Sequence, residues 1–225
     1  MKISAIILAH EKAREGNIKK IVDSLISGTE TPQGIVVFID NPNIEYQDSR
    51  VTVVKSNKGY PVIIRFALGL CEDADRILMI DDDLMVGPKT IENFVKYANK
   101  YPEHLLGLEG NILGEDEVEP YTLGESVDRG SHVRSVDVLI RTYFVTPMHL
   151  LQALWTKELF KNQLPERSID DIILCMSNKY EYSGQNIVIP IDKDSDVIEL
   201  DSKGVGQCLD INHYINRNIA CNLLK

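Results

Sequence analysis

Along the first hundred residues, short continuous apolar runs alternate with stretches whose apolar residues recur every three or four positions. "ISAIILA" (3–9) is apolar at nearly every position, as expected of a strand buried on both faces. In "GNIKKIVDSLISG", Ile18, Ile21, Val22 and Leu25 fall on one side of a helix, and Gly28 ends it. "GIVVFIDNPN" reads as a second buried strand, closed by the turn-forming Asp40, Asn41 and Pro42. "RVTVVKSN" is a third strand, and "PVIIRFALGLCEDA" a helix with Pro61 in its first turn. "RILMI" is a fourth strand and "KTIENFVKYANKY" a further helix.

Such alternation predicts an α/β fold, a mostly parallel central sheet with helices on both faces. Ligands of these sheets bind beyond the carboxyl ends of the strands. Asp40 and Asn41, Asn57, and Asp81, Asp82 and Asp83 all fall at those ends. The alternation stops after Tyr101, which predicts a mixed second half. There "EGNILGEDEVEPYTLGESVDRGSH" reads as a loop or hairpin and "VDVLIRTYFVTP" as a strand. "MHLLQALWTKELFKN" and "PERSIDDIILCMSNKY" read as helices, the second opened by Ser168 as its N-cap. "QNIVIPI" is a strand, "DKDSDVIELDSKGVGQ" a mobile loop, and "DINHYINRNIACNLLK" a last helix starting at Asp210.

The 225 residues, 44% hydrophobic, suit one globular domain with a core large enough to need no staples. A net charge of −10 argues against non-specific nucleic-acid binding, because phosphate contacts need Lys and Arg. Cys71, Cys175, Cys208 and Cys221 lie far apart, so neither a zinc cluster nor a disulfide framework is expected. The N-terminus lacks the pattern of a signal peptide, and no apolar run approaches ~20 residues. A soluble, cytoplasmic protein without a membrane span is expected.

In "RILMIDDDLMVGPKT" (76–90) three adjacent carboxylates follow a buried strand. A solvated turn needs one. Three repel and raise one another's pKa unless a cation or hydrogen-bond donors relieve them. Mg²⁺ and Mn²⁺ take oxygen ligands, often one or two carboxylates with phosphate oxygens. An extended segment would put Asp81 and Asp83 on one side and Asp82 on the other.

An apolar strand ending in Asp-Asp-Asp behind such a βαβ half resembles the DxD motif of GT-A-fold glycosyltransferases. "SIDDIILCM" resembles the Asp-Asp-Ile helix start of exostosin-like transferases and the Glu-Asp element of family-two enzymes. "NHYINRNIACNLL" resembles the exostosin-like C-terminal stretch. These pieces come in the family order and span nearly the whole chain. The resemblance implies one GT-A-like domain over 1–225, with a nucleotide-binding half (1–100) and an acceptor-binding half carrying a C-terminal tail (101–225). It further implies a Mn²⁺ or Mg²⁺ cofactor, a nucleotide-sugar donor such as a UDP-sugar, and a hydroxyl-bearing acceptor. Net charge disfavours a nucleic-acid base as that acceptor.

Carried over residue by residue, Asp83 ligates the metal, Asp81 faces the ribose, and Asp82 supports either. Asn57 and Arg65 match the region that holds the nucleoside, and Asp40 and Asn41 the place where the base is gripped. Arg141, in the strand "VDVLIRTYFVT", departs from the small residues common there, so acceptor contacts do not transfer. Asp170 and Asp171 serve the helix dipole and a capping box. The resemblance adds catalysis. Asp171 would be a general base in an inverting enzyme or would stabilise charge on the sugar in a retaining one. In the last helix, His213 and Arg217 are four apart and share a face, His213 completing the metal site and Arg217 holding the diphosphate. Ile211, Ile215 and Ile219 form a separate stripe expected to pack on the domain. "DSKGVGQ" is expected to fold over bound donor. His104, His132 and His149 are read as surface or satisfied core residues, and Trp155 as core. Two alternatives remain open. One is a nucleotidyltransferase, though "AHEKAREGN" is a poor glycine-rich loop, and the other a nucleotide-sugar-binding domain without turnover.

Overall fold

The computed structural model describes all residues except 167, 168, 182, 183, 193, 202, 203, 206–209 and 211, and the side chains of 180 and 181. Strands β1 (Ile3–Ala9), β2 (Gly34–Ile39), β3 (Thr52–Lys55) and β4 (Arg76–Ile80) form a parallel set in the order β3-β2-β1-β4. Between them run α1 (Glu15–Ser27), preceded by a short 3-10 turn over Lys12–Arg14, and α2 (Ile64–Leu70). After β4 come β5 (Leu84–Val86) and α3 (Thr90–Lys100).

Period-two alternation divides the core. Ile3, Ala5, Ile7 and Ala9 of β1 pack with Ile18, Ile21, Val22 and Leu25 of α1 and Phe94 of α3. Ile6 points to the other face, with Ile77 and Met79 of β4 and Phe66 of α2. Both faces of β1, β2 and β4 are thus covered, which is why their sequences read as unbroken apolar runs, while β3 at the sheet edge stays partly exposed.

The second half of strand β6 (Leu105–Ile112) falls in the stretch read as a loop or hairpin, and pairs antiparallel with the strand at Glu125–Val127, so the hairpin alternative holds. Its glycines and charges mask the strand pattern. Gly107 and Gly110 are required by proximity: a Cβ on Gly107 would lie 2.8 Å from the Thr142 carbonyl oxygen. Strands β7 (Glu125–Val127), β8 (Arg134–Val136) and β9 (Val138–Val145) follow. Strand β9 inserts antiparallel between β4 and β6, with a register shift opposite Gly107–Glu109. Helices α4 (Pro147–Leu159) and α5 (Asp170–Glu181) precede β10 (Asn186–Val188), β11 (Val197–Glu199) and α6 (His213–Leu224).

The sheet of the described residues runs β3-β2-β1-β4-β9-β6-β10-β8, with β7 on β6. Strands from both halves of the chain therefore share one sheet. Strand β11, within the expected mobile loop, pairs with β5 directly after the aspartates. Helix α6 starts at His213, three residues later than expected. Its Ile215 and Ile219 are exposed, whereas Arg217, Ala220 and Cys221 are buried. The expected packing stripe is thus reversed, because a buried carboxylate beneath α6 draws Arg217 inward. Trp155 is 60% exposed and is not core, since α4 packs through Leu150 and Ala153 instead.

Candidate active site

The chain turns sharply after β4. Leu84 N–H donates to the Asp81 carbonyl oxygen at 3.2 Å, so the three aspartates do not continue as a strand. The expected two-sided alternation gives way to three directions. Asp81 faces Arg65 (3.1 Å), and Asp82 faces Arg14 (2.5 Å). Asp83 lies between Arg14 (3.3 Å) and Arg141 (3.4 Å). Asn17 in α1 anchors the turn by donating to the Asp82 carbonyl oxygen at 3.1 Å.

Arg65 joins the two acidic motifs. Helix α2 delivers it between Asp81 and Asp170, and its Nη2 donates to the Asp170 carboxylate. Its guanidinium lies 4.9 Å from the centre of the Tyr143 ring. Burial alone would lower the Arg65 pKa, but Asp170, Tyr143, Asp81 and Asp171 outweigh it and raise it. Burial pushes the Asp81 carboxyl up to about 7. Arg65 opposes that rise, and Asp83, Asp170 and Asp82 reinforce it. The Asp81 side chain nevertheless keeps 37% of its surface exposed. Its carboxyl group is therefore within reach of solvent, 3.1 Å from Arg65.

Asp171 points the other way. Arg217 of α6 grips it with two hydrogen bonds, at 2.9 and 2.5 Å. The Ile172 N–H donates to it as well, at 2.9 Å. Both groups are buried, and the Arg217 guanidinium lies 4.1 Å from the Tyr121 ring centre. Burial lowers the Arg217 pKa less than Asp171 and Tyr121 raise it. Two adjacent aspartates at one helix start thus do different work: Asp170 joins the aspartate turn, and Asp171 fastens α6 onto α5. Ser168, the expected N-cap, lies outside the described residues.

Asp40, at the end of β2, accepts the backbone N–H groups of Lys58, Gly59 and Tyr60. It shapes the loop after β3, and Gly59 takes the positive φ of 65° that this loop needs. Asn41 donates to the His10 carbonyl oxygen at 2.7 Å, and Asn57 is exposed on that same loop. His10 directly follows β1 and carries no signal in the sequence. Its Nε2 is buried without a hydrogen-bond partner, and its charged neighbours are Asp40, Glu11, Arg65 and Asp170.

A second network flanks the turn. Arg141 contacts Glu199 at 3.1 Å and Glu109 at 3.8 Å, besides Asp83. Arg129 reaches Glu109, Asp196 and Glu199 at 2.8, 3.1 and 2.9 Å. Among the described residues, Arg141 is the one non-glycine with positive φ, at 65°. Its backbone carbonyl meanwhile accepts the Asp81 N–H at 3.3 Å. Strain of this kind collects where surroundings over-determine a residue. Arg14, Glu109 and Arg129 carried no sequence signal, because charged residues in loops and glycine-rich stretches look solvated.

No group of three or more His, Cys, Asp or Glu side chains is arranged to hold a metal among the described residues. A Mg²⁺ or Mn²⁺ ion that shares phosphate oxygens and water needs only one or two protein carboxylates. The aspartate turn meets that need. His213 Nδ1 is buried without a hydrogen-bond partner, and its charged neighbours are Arg217, Asp171 and Asp210. The expected closing segment "DSKGVGQ" lies largely outside the described residues, and the Ile211 position does too.

No family model matches the chain, and no curated protein does. Solved structures do. A crystal structure of GalNAc-T7 with UDP, GalNAc and Mn²⁺ superposes with a TM-score of 0.66 at 11% identity, over 93% of this chain and 46% of that one. S. aureus TarS superposes with a TM-score of 0.56 at 15% identity, over 85% of this chain and 36% of that one. The chain therefore spans less than half the length of either, and shares their fold. The GT-A-like α/β architecture expected from the sequence is borne out. Among the described residues, no helix is long and apolar enough to cross a membrane.

Proposed function

We propose that the protein is a metal-dependent glycosyltransferase that moves a sugar from a nucleoside-diphosphate donor, UDP-sugar foremost, to a hydroxyl group. One observation carries this reading. In a GT-A-like fold, Arg65 ties the aspartate turn to a second acidic site 89 residues later, at the carboxyl ends of the parallel strands. A donor has the chemistry this edge answers. Its base and ribose meet Asp40, Asn41, Asn57 and Asp81, and its diphosphate meets Arg65 and the cation at Asp83, with Asp82 in support. His213, with its unpartnered nitrogen, is the second protein ligand to that cation. When bound, Mn²⁺ or Mg²⁺ neutralises the diphosphate as it leaves.

The sugar–phosphate bond breaks with its electron pair going to the diphosphate, and the acceptor oxygen bonds the same sugar carbon. The acceptor proton has to go to a base, or the charge on the ring has to be stabilised. Asp170 suits either role better than Asp171. Both oxygens of Asp171 are held by Arg217, which leaves Asp171 and Arg217 to set the α5–α6 geometry behind the reacting groups.

Calorimetry with UDP, other nucleoside diphosphates and their sugars, with and without Mn²⁺, tests the reading. UDP binding that needs Mn²⁺ and disappears in Asp83→Ala is expected. Binding of no nucleoside diphosphate under any condition would overturn it.

A further inference from the structure

The group nearest the carboxylates of Asp82 and Asp83 is Arg14, which no sequence pattern marked. The 3-10 turn over Lys12–Arg14, closed by the Arg14 N–H on the Glu11 carbonyl at 2.9 Å, aims its side chain at the aspartate turn. One guanidinium there meets three oxygens: Asp82 Oδ1 at 2.5 Å, Asp83 Oδ2 at 3.3 Å, and the Val205 carbonyl oxygen. Only 10% of the Arg14 side chain is exposed, against 9% for Asp82 and 17% for Asp83. Two carboxylates and a peptide carbonyl converging on one charge are the donor types a hard divalent cation selects. The other Asp83 oxygen, Oδ1, faces Arg141 at 3.4 Å.

We propose that Arg14 is a positioning residue that serves as an internal counter-cation at the aspartate turn, holding Asp82 and Asp83 in place of a divalent metal and competing with that metal for them. The inference rests on the proposed role of this turn as the place that receives the cation. A metal ion approaching Asp83 has to displace a buried, multidentate guanidinium, and such charge-assisted contacts are strong. The chain accordingly keeps its carboxylates together without metal, and binds metal alone weakly. A nucleoside diphosphate makes the exchange easier, since its phosphates accept the displaced guanidinium.

The test is a Mn²⁺ titration of the full chain without nucleotide, read from the electron paramagnetic resonance signal of free Mn²⁺. Arg14→Gln should bind Mn²⁺ about tenfold more tightly than wild type, or better, because the competing charge is gone. Adding Asp83→Asn to Arg14→Gln should abolish the gain. Arg14→Lys keeps the charge but loses the fork, and should fall between. Mn²⁺ affinity in Arg14→Gln equal to or below wild type overturns the proposal, as does absence of Mn²⁺ binding in every variant. If circular dichroism shows Arg14→Gln unfolded, Arg14→Lys decides: affinity no tighter than wild type overturns it. UDP binding to the wild type in Mn²⁺ is measured separately. Its absence sinks the donor reading, whereas its presence with an insensitive Arg14→Gln sinks only the role of Arg14.

Discussion

Strand β4 begins at one buried arginine and ends against three aspartates, and its two ends treat charge differently. At the start, Arg76 donates to the carbonyl oxygens of His104 and Pro102, beside the Phe144 ring. Burial pulls its pKa down to about 10, with only Glu103 opposing. His149 nearby is held down to about 4, first by burial and then by Arg76. At the other end, Arg14, Arg65 and Arg141 all face carboxylates. Carboxylates outnumber guanidiniums there, and Asp81 is pushed up to about 7 by burial and by its acidic neighbours. Lone buried cations satisfied by carbonyls build a fold. At the aspartate turn, by contrast, a surplus of carboxylates is laced with arginines.

The largest effect expected in breaking this contrast is at the inward pair. Arg217→Met leaves Asp171 buried and unpaired, and should cost about 3–5 kcal/mol in urea unfolding. Adding Asp171→Leu should recover most of it, because an apolar pair of similar volume replaces a buried ion pair at little cost. A double variant as unstable as the single would show that the pair does more than fasten α6.

Next is the outward carboxylate. Asp170→Asn should lower sugar transfer about 100-fold or more while UDP affinity in Mn²⁺ stays within a few-fold. Wild-type turnover in this variant would move the chemistry to Asp171.

The far end should respond to acid. The folded pKa of His149, about 4, lies below its unfolded value of about 6.5. Its contribution is therefore complete above pH 6.5 and lost as pH falls toward 4, on the order of 2 kcal/mol. Denaturation at pH 7, 5.5 and 4.5 should show His149→Gln losing less stability than wild type over that window. Equal slopes would assign the acid sensitivity elsewhere.

Smallest is the strain at Arg141. A glycine adopts φ of 65° freely, so Arg141→Gly should relieve about 1 kcal/mol of backbone cost and lose ion pairs of comparable worth. Stability within about 1 kcal/mol of wild type is expected. A much larger loss would show that the ion pairs of Arg141 outweigh its backbone strain.

The parallel half was legible because strands buried on both faces must be apolar throughout, and their polar ends stand out. Asp81, Asp82 and Asp83 stood out in the same way, at the end of an apolar run, whereas Arg65 and Asp170 were marked by the family resemblance and Arg217 by its spacing from His213. Strand β6 was legible only in part, as one arm of a possible hairpin, because Gly107 and Gly110, which let β9 approach, hide the strand pattern. Arg14, Arg129 and Glu109 were invisible for a related reason: nothing local tells a charge paired across the fold from one in water.

What the sequence alone determined is the α/β alternation, the polar strand ends and the aspartate triplet among them, because periodicity and strand-end position are local properties. Only the tertiary structure decided which carboxylate answers to which guanidinium. Asp170 and Asp171 differ by one position and a helical rotation, yet one meets Arg65 and the other Arg217. That choice depends on where α2 and α6 pack, and packing is settled by contacts between residues far apart in the chain.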